Sequence, residues 1–142
     1  MTPQTYANHR RLDPAFHGVL GSLYLAVLVL ACIFFARQRD LAGTWRLVLA
    51  AGLLLHWLLT RTYALRVQDR LIRLEEQLRM ARLLPADLQA QAGALRPSQY
   101  VGLRFASDAE LADRVREALS ENLDGEAIKK RIQVWRPDTF RV

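Results

Sequence analysis

The sequence predicts an all-α membrane protein. It reads as a two-helix transmembrane hairpin whose second span continues into a juxtamembrane amphipathic helix, followed by a small cytosolic module of short helices. Three observations carry this. Two apolar stretches open the chain, at about 14–36 and about 41–60; the first holds no Asp, Glu, Lys or Arg, and only Arg46 interrupts the second. Apolar residues then recur at helical spacing over 61–84. Beyond Leu84, turn residues punctuate short amphipathic runs, with no strand-like alternation.

A chain of 142 residues allows one modest domain and an anchor. Its halves differ sharply. Residues 1–60 are mostly apolar, with five Arg against two Asp; residues 61–142 carry fifteen Lys/Arg against twelve Asp/Glu. The division expected is a polar arm at 1–13, the hairpin at 14–60, a heptad-like helix at 61–84, and a helical module with its tail at 85–142. One cysteine, Cys32, excludes a disulfide framework or a cysteine metal cluster within one chain.

Asp13-Pro14 is a strong helix start, because Asp caps free N–H groups and Pro suits the first helical position. At about 1.5 Å per residue, the first stretch is long enough for a hydrocarbon core of ~30 Å. It exceeds the apolar region of a signal peptide and ends without a small-x-small cleavage site, so it reads as an uncleaved anchor. Gly18, Ser22 and Ala26 form a small-residue stripe, which is either a close-packing face or chance.

Residues 37–46 make the connection, with Asp40 and Gly43 as turn residues. So short a link implies antiparallel neighbours. The second span reaches full length only if 41–45 belongs to it and Arg46 snorkels; the alternative is an interfacial or re-entrant segment. Eight Arg flank the outer span ends (Arg10, Arg11, Arg61, Arg66, Arg70, Arg73, Arg79, Arg82) against Arg37, Arg39 and Arg46 in the loop. The positive-inside rule then puts both termini in the cytoplasm.

No Gly or Pro lies between Gly52 and Pro85, so the second span is expected to run on into the 61–84 helix. There Val67, Leu71, Leu74, Leu78 and Ala81 fall at heptad spacing. With Val67 at d, a parallel dimer pairs Arg70 with Glu75 of the other chain. The stripe can equally pack on the later helices of its own chain. Asp69–Arg73 and Glu75–Arg79 are favourable i,i+4 pairs.

Helices are then expected at 85–91, at 97–105, from a Ser107/Glu110 capping box to about 122, and after Asp124 with a Leu123–Ile128 staple. The candidate core is Leu103, Phe105, Leu111, Val115, Leu119, Leu123, Ile128, Ile132 and Trp135. So small a module is marginal alone and should lean on the 61–84 helix or on a partner.

Several of these residues also form a pattern. The run Gln4-Thr5-Tyr6-Ala7-Asn8-His9-Arg10-Arg11-Leu12-Asp13-Pro14-Ala15-Phe16-His17, the segments Tyr63-Ala64-Leu65 and Val67-Gln68-Asp69-Arg70, the stretch 103–108 and the ending Trp135-Arg136-Pro137-Asp138 resemble a family of small bacterial two-span membrane proteins of unknown function. Thr5 stands where that pattern has Asn. The resemblance implies a bacterial two-span protein of about this length and assigns no catalytic or ligand residue.

Candidate chemistry is sparse. His17 and His56 lie in the apolar stretches, where ionisable groups are suspect by default. Haem held by His56 across a dimer is one reading; the other is His17 near the interface beside Asp13 and His56 bonded to backbone. His9 sits in the polar arm, where Tyr6, His9 and Arg11 either dock on the module or remain solvated. Trp135 and Arg136 are either a tail clamp or a partner contact. Arg61, Arg66, Arg70 and Arg73 are candidate anionic-lipid contacts. Glu75-Glu76 and Asp108/Glu110/Asp113 read as solvated ion pairs. No phosphate loop or nucleophile elbow occurs. Basic residues interleaved with acids, without an aromatic platform, argue against nucleic acid.

The expectation is therefore a non-catalytic inner-membrane anchor or accessory protein. It would present a helical module for self-assembly or partner binding, with Val67, Arg70, Leu71, Leu74, Glu75 and Leu78 carrying assembly in a homo-oligomer or larger membrane complex. No cofactor is required; a haem-binding redox protein is the alternative, and an enzyme acting on lipid a distant third.

Overall fold

A computed structural model describes residues 4–9 and 13–138. Six helices account for nearly all regular structure, and there is no strand among the described residues. The helices are α1 (Pro14–Arg37), α2 (Leu41–Leu83), α3 (Ala86–Ala92), α4 (Pro97–Leu103), α5 (Leu111–Ser120) and α6 (Gly125–Arg131). They divide between two compact units: residues 13–65 form one, and residues 4–9 with 66–138 form the other. α2 is a single helix contributing to both.

In the first unit, Asp13 caps α1 by accepting from Phe16 N at 2.7 Å. The opening Pro14–Leu20 is wound as a π-helix. The connection is shorter than the sequence suggests. Only residues 38–40 separate the helices, and Asp40 caps α2 by accepting from Gly43 N at 2.6 Å. Gly43 is required here, since a Cβ would lie 2.8 Å from the Gln38 carbonyl. The helices lie antiparallel: Trp57 donates from Nε1 to the Phe16 carbonyl at 3.2 Å and stacks on the Phe16 ring at 5.5 Å. Both helices are long and apolar enough to cross a membrane. Their apolar side chains, such as Leu23, Leu30, Phe34, Leu49 and Leu55, point outward instead of forming a core.

In the second unit, Met80 and Leu84 at the end of α2 join a core of Leu88, Ala92, Leu95, Tyr100, Leu103, Phe105, Leu111, Val115, Ala118, Ile128 and Ile132. Leu119, Leu123 and Trp135 pack against it half-buried. The core thus leans on α2. α4 and α6 cross where Gly102 faces Gly125; a Cβ on Gly102 would meet the Gly125 carbonyl at 2.8 Å. Gln99 ties α4 to the end of α5 by donating to the carbonyls of Ala118 at 3.2 Å and Leu123 at 2.8 Å. Asn122, at φ 51°, takes the left-handed position after α5 and lets Leu123 N reach back to the Ala118 carbonyl. Asp124 caps α6 by accepting from Ala127 N at 2.7 Å.

Half of the expected Ser107 capping box forms: the Ser107 N–H donates to Glu110 Oε1 at 3.4 Å, while the Ser107 hydroxyl caps no backbone N–H and α5 begins at Leu111. The tail shares the same donor, the Ser107 N–H also reaching the Val134 carbonyl at 3.0 Å beside the Ala106–Trp135 bridge. Glu110, read as exposed, is drawn inward to accept from the N–H groups of Gln133 and Val134, each at 3.1 Å.

Candidate interaction face

The second half of α2 has two unlike sides. One side packs on the module: Ile72, Glu76, Arg79 and Met80 are all buried. The other carries Val67, Leu71, Leu74 and Leu78, which are 68, 55, 53 and 60 % exposed. Glu76 lies two residues from both Leu74 and Leu78; at ~100° per residue that is the far side of the helix. Among the described residues, this stripe is therefore not the face of α2 that packs on the later helices. The residues that dock the module fall between the heptad positions, and Ala81 is exposed as well. A groove of about 760 Å³ flanks the stripe, with Leu71, Glu75, Leu78 and Arg82 on one wall and Arg136, Pro137 and Asp138 on the other.

A charged cluster floors this groove. Arg79, only 5 % exposed in its side chain, donates from Nη1 to Glu76 at 2.9 Å, from Nε to Asp108 at 2.8 Å, and from Nη2 to the Ala106 carbonyl at 2.7 Å. Arg136 reaches the other Glu76 oxygen at 3.2 Å. Two readings of the sequence are corrected here. Glu76 is a buried carboxylate, not a solvated one, and Arg79 turns to Glu76 instead of Glu75. Burial is the cause: a carboxylate inside the unit needs a cation beside it. An i,i+3 Glu–Arg pair falling off the apolar stripe was the available signal.

The arm and the tail meet on the same module. His9, 5 % exposed, lies among Tyr6, Phe105 and Trp135, with ring centroids 5.4, 5.8 and 5.8 Å away. Its Nδ1 is 2.6 Å from the Tyr6 carbonyl, which can only accept, so that nitrogen carries the proton. Nε2 faces Lys129 Nζ at 3.5 Å. Tyr6 donates to Glu126 at 3.2 Å, and Lys129, hydrogen-bonded to Glu126, holds that carboxyl below the usual carboxylate range. The Trp135 ring lies tilted against Phe105, with centroids 5.0 Å apart. Arg136 is half-exposed on Glu76, and Arg11 lies outside the described residues.

The remaining candidates are scattered. His17 Nδ1 is 3.0 Å from the Asp13 carbonyl, and its ring meets Phe16 edge-on. His56 is exposed on α2, and no contact between the two histidines occurs among the described residues. Arg61 lies over the Phe16 ring at 5.9 Å and Arg73 over the Tyr100 ring at 5.8 Å, whereas Arg66, Arg70 and Glu75 are exposed. Among the described residues no group of three or more His, Cys, Asp or Glu is placed to hold a metal ion.

These features define a class: a small all-α protein with two helices of membrane-crossing length and apolarity and a separate helical unit. The chain belongs to DUF6526, a family of unknown function, whose profile matches residues 1–142. No curated protein and no solved structure matches it.

Proposed function

We propose that the protein is a non-catalytic bacterial inner-membrane accessory protein. α1 and the first part of α2 form a membrane hairpin with both termini in the cytoplasm, and α2 continues as the juxtamembrane support of a cytosolic module. The observation that carries this reading is the exposed stripe Val67, Leu71, Leu74 and Leu78, opposite the side that binds the module. Four large apolar residues aligned at heptad spacing on an otherwise charged helix are a surface that requires a partner. Outward-facing apolar side chains on α1 and α2 support lipid as their solvent. Arg66, nearest the membrane end of this stretch, then sits where anionic headgroups attract it by about 1 kcal/mol.

The test is fractionation of native membranes carrying the tagged full chain. Retention through an alkaline carbonate wash, followed by extraction in mild detergent as an oligomer or stoichiometric complex, is the expected result. Release by carbonate, or recovery of a monomer alone, contradicts the proposal.

A further inference from the structure

We infer that the occupant of the exposed α2 stripe is a second copy of this chain, lying parallel and in register over about residues 67–78. The inference rests on the membrane-anchor reading above and names the partner of that same face.

Three observations carry it. First, lipid does not cover the stripe, because Asp69, Arg70, Arg73 and Glu75 are interleaved with it and all are exposed. Second, the charges beside the stripe complement a copy of themselves in only one sense. With Val67 and Leu74 at d and Leu71 and Leu78 at a, Arg70 is at g and Glu75 at the following e. In a parallel pair each Arg70 meets the partner's Glu75, twice by symmetry. The antiparallel arrangement with Leu71 opposite Leu74 sets both residues against Gln77 and Gln68, which offer no opposite charge. Third, the parallel sense is the one that membrane insertion supplies, since copies inserted alike carry α2 in the same direction. Glu75 also lines the groove beside the stripe, so the partner's Arg70 has an open approach to it. The buried contacts of α2 with the module, through Ile72, Glu76, Arg79 and Met80, lie opposite the stripe, and the tail at Arg136, Pro137 and Asp138 borders the groove on the Glu75 side.

The experiment is site-directed cross-linking of the full chain in native membranes. In a Cys32→Ala background, single cysteines replace Val67, Leu71, Leu74, Leu78 and, on the flank, Asp69 and Arg73. A short bismaleimide should give a band of twice the chain mass from the four stripe positions and at least tenfold less from the two flanking ones. Arg70→Glu and Glu75→Arg should each reduce the Leu74→Cys cross-link severalfold, and the double charge swap should restore it. A membrane-bound chain that gives no homodimer, a uniform pattern across all six positions, or a cross-link only to a protein of different mass overturns the inference while leaving the anchor reading intact. A chain that carbonate removes from the membrane overturns the anchor reading instead, whatever its cross-linking pattern.

Discussion

Replacing Arg79 with Met tests how the module is held on α2. The side chain is 5 % exposed, and its strongest buried partner, Glu76, is also 5 % exposed. Removing one member of a buried pair costs about 3–5 kcal/mol, because the other charge is left behind. The lower end applies here. Arg136 remains on the second Glu76 oxygen, and Asp108, with a side chain 67 % exposed, recovers water. The Ala106 carbonyl also loses this donor, worth about 1 kcal/mol. A loss near 3 kcal/mol should lower the midpoint of a unit this size by roughly 12–24 °C. Trp135 reports the unit directly, as it packs on Phe105, once Trp45→Phe and Trp57→Phe remove the other two tryptophans. Thermal melts of Trp135 emission in detergent then compare Arg79→Met with Glu76→Gln/Arg79→Met. The double variant no longer buries a carboxylate left with the half-exposed Arg136 alone, and it should recover part of the loss. A shift under about 3 °C for Arg79→Met, or a double variant that falls further than the single, refutes the argument that an under-compensated Glu76 is what destabilises.

Other perturbations follow from the same geometry. Leu71→Asp with Leu74→Asp should reduce the proposed oligomer to monomer by light scattering in detergent while the Trp135 melt stays within a few degrees, because both residues are exposed. Gly102→Ala should destabilise the module by about 1–3 kcal/mol on the same melt, since its Cβ would press on the Gly125 carbonyl. His9→Ala should expose the N-terminal arm to protease without melting the core, as it removes the ring that joins Tyr6 to Phe105 and Trp135. The depressed Glu126 carboxyl contributes most when ionised, so its hold on Lys129 and Tyr6 is complete above the ordinary carboxylate range. Arm protection should therefore weaken only as pH falls through and below the ordinary carboxylate range, where the depressed Glu126 takes up its proton; Glu126→Gln should remove that acid transition.

Much of the architecture was legible because it rests on local signals. Asp13-Pro14, Asp124 and the break at Gly93 each act within a turn of the helix they bound, and the structure puts α1, α6 and the end of α3 there. Ser107 is legible only in part. Its pairing with Glu110 is local and present, but the tail residues 134 and 135 also claim that backbone, and nothing within a few positions announces a partner from the far end of the module. Glu76 and Glu110 misled in the same way. A carboxylate beside arginines reads as solvated in sequence, and only the approach of Arg136, Gln133 and Val134 from the chain's end makes these two structural.

That contrast bears on the heptad stripe. Periodicity alone left it divided between the chain's own module and another chain, since both demand the same apolar repeat. The module settled one side of α2 by using Ile72, Glu76, Arg79 and Met80, none of them a stripe residue. A helix that served only to support the module would need no apolar residues on its other side, where Asp, Lys or Glu would be soluble and equally helical. Four large aliphatic side chains there, between a buried ion cluster and open solvent, are the observation on which the proposal of a partner for the outward face of α2 rests.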